Sequence, residues 1–216
     1  PYHRQEAIHA RAGVHTPRST LASWAGQAAS ELLPLYDAHR AFVLQARVLH
    51  ADETPVKMLD PGRGKTAKAY VWAYARGEFD PTPGVIYEFR GGRSGHHAAE
   101  FLKDWRGTLV TDAYSGYAQL FAAGAGRTRA GCLAHARRKF EELAPVSPMA
   151  LEALGRIAQL YRVEDAAKAL SAEERWRTRQ AHSRGLWEAL HAWLIEQQKI
   201  IRPGSGPAGA IAYALK

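Results

Sequence analysis

Apolar positions change their period twice along the chain, and the changes divide it into three stretches. Over residues 1–45 they recur at helical spacing. A first helix is predicted over Tyr2 to Ala12, broken by Gly13 and Val14. Thr16-Pro17-Arg18-Ser19 then offers a cap and an early proline to a second helix, with Leu21, Trp24 and Ala28 on one side. A third, from Ser30 to Leu44, lines up Leu32, Leu35, Tyr36 and Leu44, with Pro34 in its first turn. Helix, glycine turn, helix is the pattern of a helix-turn-helix and equally of any two packed helices.

From residue 46 the pattern turns to β type. Ala46 to Asp52, Lys68 to Ala75 and Gly84 to Arg90 read as strands, and Asp60-Pro61-Gly62-Arg63-Gly64 supplies turn chemistry between the first two. Three strands joined this way predict an antiparallel meander. His96 to Trp105 reads as a helix, and Thr108 to Thr111 as a short strand ending at Asp112. Tyr114 to Ala122 is helical in pattern, 128–132 a short strand, and Gly131 to Glu142 a further helix. From 148 to 216 the helical period returns. Met149 to Tyr161 is one amphipathic segment, and Ser171 with Glu174 forms a capping box that opens a long charged helix. Leu186, Trp187, Leu190, Trp193 and Leu194 make an apolar stripe, and Arg202 to Gly209 reads as a loop. The expected architecture is α/β. A helical lead-in (1–45) precedes a core (46–145) of an antiparallel meander plus a further parallel strand flanked by helices, and an all-helical segment (146–216) follows.

Composition narrows the class. The 216 residues are 46% hydrophobic and 23% charged, enough to bury a core, which excludes a disordered tail, a fibre or a disulfide-knotted mini-protein. Cys132 is the single cysteine, so no internal disulfide forms, and a reducing, cytoplasmic setting is expected. The longest apolar run, Ala69 to Ala75, is too short to span a bilayer, and no membrane association is expected. The opening PYHRQE carries no signal core. With no initiator Met and an end at AYALK, the chain is expected to be a fragment of a longer protein. The net charge of +8 favours a polyanionic partner such as nucleic acid.

Two carboxylates then gain meaning. Asp52, with Glu53 beside it, closes the first predicted strand, and Asp112 closes the fourth. Aspartates open turns often. On strands that pair side by side, however, both would project from the same end of a sheet and could share hard divalent cations, which take oxygen ligands. Two such ions can activate an attacking oxygen and stabilise a leaving oxygen at phosphorus. A second cluster runs from Cys132 to Phe140. At helical spacing Cys132, His135 and Lys139 form one stripe with Arg138 beside it, while Leu133, Ala136 and Phe140 turn to a core. Arg127 and Arg129 lie just upstream, and no acid occurs from Ala113 to Phe140, a cationic surface suited to phosphates. Gly62 to Thr66 imitates the end of a phosphate loop, but Leu59 stands where its first glycine belongs and a strand follows. Ser115 lacks a nucleophile-elbow context, and His96-His97 lacks a third ligand.

The ordered motifs LHADETPV, DPGRGK followed by a Tyr/Trp-rich strand, TDAYSGY and CLAHARRKF resemble the IS66-type insertion-sequence transposases, members of the DDE group with an RNase H-like core. RQEAIHARAGVHTPRSTLASW and ELLPLYDA resemble the segment ahead of that core. The resemblance implies that Asp52 and Asp112 are the first two catalytic acids, binding Mg²⁺ or Mn²⁺ in a two-metal site. The third acid, a glutamate, is expected beyond Lys216, so the site is expected to be incomplete here and the stretch inactive or weakly active alone. His135, in a Cys-x-x-His element, is expected near the scissile phosphate, and Arg127, Arg129, Arg137, Arg138 and Lys139 at phosphates. The implied partners are double-stranded DNA, both transposon end and target, and further copies of the protein in a synaptic complex. The implied location is the bacterial cytoplasm, at the nucleoid when DNA is bound. Two other readings stand beside it. One is a non-enzymatic DNA-binding module. The other is a tyrosine recombinase using His135-x-x-Arg138 and Tyr161 or Tyr213, which needs no metal.

Overall fold

The computed structural model describes residues 1–60 and 62–216. Among them five strands form one sheet in the order β3-β2-β1-β4-β5, from β1 (Val48–Met58), β2 (Ala67–Arg76), β3 (Val85–Arg90), β4 (Gly107–Thr111) and β5 (Arg127–Gly131). β1 pairs antiparallel with β2, and β2 with β3, which is the expected meander. Thr108 N–H donates to the Arg47 carbonyl (2.9 Å) and Gly107 N–H to the Gly126 carbonyl (3.2 Å), so β1, β4 and β5 begin side by side. Cys132 N–H reaches the Thr111 carbonyl (3.0 Å), so β4 and β5 also end together, in the parallel sense. Gly107 is required at this junction: at φ +149°, a Cβ there would lie 2.3 Å from the Arg47 carbonyl oxygen.

The chain divides into two compact units, Pro1–Leu109 with Gln119–Thr128, and Val110–Ala118 with Arg129–Lys216. In the first, α1 (Tyr2–Arg11), α2 (Arg18–Glu31) and α3 (Leu33–Val43) lead into the sheet. Their apolar stripes differ from expectation: α1 and α2 bury no residue, and Trp24, Leu32 and Leu35 are exposed. Nor does a side chain cap α2, because Thr16 is buried and Pro17 takes the cap position. α3 does pack. His39 Nε2 bonds the Val85 carbonyl (2.8 Å), and Arg40 donates to the Phe101 carbonyl (2.7 Å). Arg76 donates to the Phe42 carbonyl (2.9 Å) while lying over its ring. α4 (Gly95–Phe101), shorter than predicted, is capped by Ser94 and buries Ala98 and Phe101. Phe101 stacks on Tyr74 with centroids 4.0 Å apart.

β1 corrects the reading of its end. It continues six residues past Asp52, paired with β2 from Glu53↔Trp72 to Met58↔Ala67 and running out beyond β3 into a two-stranded ribbon. Cross-strand bonds to β2 decide this extension, which no local pattern announces, and the ribbon tolerates Pro55, whose residue donates no N–H. The turn expected at Asp60 to Gly64 includes Pro61, which lies outside the described residues.

In the second unit, Ser115–Phe121, which is shared with the first, is a 3₁₀ helix. α5 (Leu133–Glu141), α6 (Pro148–Ala167), α7 (Ala172–Thr178), α8 (Arg184–Ile200) and α9 (Gly206–Ala214) follow. Phe140, Ile157, Leu160, Leu190, Leu194 and Ile211 form its core with three alanines; Phe140, Leu190 and Leu194 are on the expected apolar faces, whereas Trp187 of the last stripe is exposed. The Ser171–Glu174 capping box opens α7, and a π-helical stretch, Arg179–Ser183, joins it to α8. The loop expected at 202–209 is shorter. Ser205 accepts the Ala208 N–H and Pro207 sits in the first turn, where its absent donor is harmless, so α9 starts at Gly206. No helix among the described residues is long and apolar enough to cross a membrane.

Candidate active site

Asp52 lies in the first unit, mid-strand. β1 alternates: Leu49, Ala51 and Glu53 face the core, while His50, Asp52 and Thr54 are exposed. The pairing puts Asp52 in one cross-strand row with Ala73 and Tyr87, on a sheet face where Tyr87 and Phe89 are open to solvent. Asp52 Oδ1 accepts the N–H of Glu53 (2.9 Å). Glu53 takes a core position with a fully buried side chain, and Arg93, from the loop before α4, pairs with it at 2.6 Å. A carboxylate there is tolerable only because it is paired, and removing either partner strands a buried charge or an unanswered guanidinium. The alternation LHADET carried the signal for Glu53 facing inward; Arg93 had none.

Asp112 lies in the second unit, where the chain leaves β4. Its Oδ1 accepts the Tyr114 N–H (2.9 Å), an Asx turn that re-aims the backbone. Its Oδ2 accepts no hydrogen bond among the described residues. The Asp112 carbonyl accepts from Thr111 Oγ1 (3.0 Å) and Arg129 Nη2 (3.4 Å). Gly116 is fixed by contact: a Cβ there would lie 2.2 Å from the Tyr114 ring. That explains the glycine of TDAYSGY. Beside the turn is a largely apolar cavity of about 240 Å³, bounded by Asp112, Arg129, Cys132, Leu190, His191 and Tyr213 among others.

The basic residues separate by role. Arg127, in the first unit, donates to the carbonyls of Leu102, Lys103, Trp105 and Leu120. Burial and the neighbouring Arg106 push its pKa down. Its donors serve the fold, which sets it apart from the phosphate contacts expected of it. In the second unit Arg129, Arg137, Arg138 and Lys139 are exposed, Ala136 and Phe140 are buried, and His135 is half-buried on α5. Arg137 pairs with Glu141 (2.8 Å), and Arg138 makes no ion pair among the described residues. His135 is not among the residues bordering the Asp112 cavity. Of the two tyrosines weighed as nucleophiles, Tyr161 has its hydroxyl pKa raised by burial, the opposite of what a nucleophile needs, and Tyr213 accepts the Ala113 N–H (3.1 Å).

Among the described residues no cluster of three or more His, Cys, Asp or Glu side chains is placed to hold a metal. Asp52 and Asp112, each with one oxygen accepting a nearby backbone N–H, do offer the hard oxygen donors that suit Mg²⁺ or Mn²⁺.

The chain is similar along its whole length to three uncharacterized proteins of Sinorhizobium fredii: y4qI (38% identity), y4jD (36%) and y4hP (34%). It spans 42–44% of the length of these relatives. The profile described as "Transposase IS66 family" matches residues 1–216, and the chain therefore belongs to the IS66 family of transposases.

Proposed function

We propose that the chain carries the first part of the catalytic core of a DDE-type DNA transposase with an RNase H-like sheet. Asp52 and Asp112 are its metal-binding carboxylates. Family membership supports transposition and DNA as the partner. The observation that carries the pair is the strand order, in which β1, bearing Asp52, is the neighbour of β4, which leads into Asp112.

Mg²⁺ or Mn²⁺ held by these carboxylates would supply activation of the attacking oxygen and charge stabilisation at phosphorus. The chain's own residues do the rest. The Tyr114 N–H fixes one oxygen of Asp112 and leaves the other for a ligand. The Glu53 N–H likewise fixes Asp52 Oδ1, on a strand where the buried Glu53 carboxylate pairs with the half-exposed Arg93. Arg129, Arg137, Arg138 and Lys139 contact phosphates and hold the duplex with a steep salt dependence. His135 donates to a non-bridging oxygen of the scissile phosphate. Water attacks the phosphodiester at the transposon end and releases a 3′-hydroxyl, which then attacks target DNA in line, with no covalent enzyme intermediate. Assembly of several copies on paired ends and a cytoplasmic location complete the proposal.

The test is calorimetric titration of Mn²⁺ into the wild-type chain and into Asp52→Ala/Asp112→Ala. Saturable binding lost in the double variant is expected. Equal binding by both proteins contradicts the proposal.

A further inference from the structure

Where the chain leaves β4, several half-buried backbone groups have hydrogen-bond partners, as such groups require. Asp112 Oδ1 takes the Tyr114 N–H, and the Asp112 carbonyl takes Thr111 and Arg129. These partners come from the turn itself or from the adjacent strand. The Ala113 N–H is different: it donates to Tyr213 Oη at 3.1 Å, from α9, 100 residues later in the chain. The hydroxyl is held from behind, because Ala210 and Ile211 on the same helix are 3% and 0% exposed in the core of the second unit. Lys139 of the basic helix α5 approaches the face of the Tyr213 ring at 5.9 Å. Asp112, Ala113 and Tyr213 border the same cavity.

We infer that Tyr213 is a positioning residue for Asp112. Its hydroxyl fixes the peptide that follows the aspartate and thereby sets where the open carboxylate oxygen points. A metal-binding carboxylate has to be held within about 0.5 Å and 10–20° of its working geometry. The Asx turn alone restrains only the other oxygen. The bond also makes the aspartate's setting depend on the packing of α9, so the helical region acts on the site through one hydroxyl. The inference rests on the proposed reading of Asp112 as a metal ligand.

The test uses the 216-residue chain, with amide hydrogen exchange and Mn²⁺-induced line broadening read residue by residue. Tyr213→Phe keeps the ring and removes the hydroxyl. Exchange at Ala113 is expected to speed up about tenfold as its N–H loses a partner, while the α9 amides keep their protection. The Mn²⁺ concentration that half-broadens Tyr114 is expected to rise roughly three- to tenfold. An unchanged Mn²⁺ midpoint, with Ala113 labile or the melting temperature lowered, overturns the inference and leaves a merely structural bond. p-Aminophenylalanine at position 213, neutral at pH 7 and a weaker acceptor of nearly the same shape, covers the case in which Tyr213→Phe does not fold. A smaller rise in the midpoint supports the inference, and no rise overturns it. Asp112→Asn is the control. Broadening that persists in it overturns the metal reading while the Ala113 exchange result still reports on the Tyr213 bond. A wild-type chain that shows no broadening overturns both.

Discussion

Arg127 and Arg138 carry the same charge eleven positions apart in different surroundings: Arg127 donates to four carbonyls and Arg138 is exposed. Arg127→Ala leaves four carbonyls without their cation and is expected to cost roughly 2–3 kcal/mol of stability, with no change in the salt dependence of DNA binding. Arg138→Ala is expected to change stability by less than about 0.5 kcal/mol and to lower the salt slope by about one. Thermal melts and DNA titrations at several salt concentrations check both. Asp80 gives a pH signature. Its Oδ1 accepts the Thr82 N–H and Oγ1 (3.0 Å each), its Oδ2 accepts Arg76 Nε (3.0 Å), and these bonds, the Thr82 N–H first, hold its pKa below the ordinary carboxylate value. A folded pKa that is depressed stabilises the protein fully above the unfolded value of about 3.9, and the stabilisation is lost as pH falls through the folded value. Melting of wild type against Asp80→Asn is therefore expected to differ at pH 7 and to converge in acid. Asp112 was legible in the sequence because a short apolar strand stops there. The bonds of Arg127 and Tyr213 were not, because their partners are brought to them by the fold from 7 to 100 residues away.

Among the elements, those whose pattern carries its own boundary were legible. β2 and β3 run between turn residues, and α7 opens on its capping box. β1 and α9 were misread for opposite reasons. The extension of β1 is made by its partner strand, and α9 begins within a glycine- and proline-rich run whose Ser205 and Pro207 are start signals. The stripes of α2 and α3 were visible in the sequence, but periodicity does not tell whether anything covers them, and Trp24 and Leu35 stand exposed. The α5 stripe did predict burial. Phe140 is 0% exposed in the core it shares with α6, α8 and α9. Phe140→Ala is expected to destabilise the second unit by about 3–5 kcal/mol, measured as a shift in its denaturant midpoint at constant slope. A loss below about 1 kcal/mol would mean that α5 is not anchored there.

At the scale of the whole molecule, a mixed α/β chain of the IS66 transposase family carries a five-stranded sheet whose order makes β1 and β4 neighbours. The β-β-β-α-β order was legible, as was the place of Asp112 at the end of β4, whereas Asp52, read as a strand end, lies mid-strand. The sheet order itself depends on pairings such as Thr108 to Arg47, which lie 61 residues apart and leave no local trace. The central claim is that Asp52 and Asp112 serve one metal site. Its most direct test is Mn²⁺-induced broadening of the amide spectrum in the wild-type chain and in the single variants Asp52→Ala and Asp112→Ala. Amides at 51–54 and 111–114 are expected to broaden together, at one Mn²⁺ midpoint, with both segments weakened by either substitution. Broadening confined to one segment, or two segments that respond only to their own substitution, would contradict a shared site.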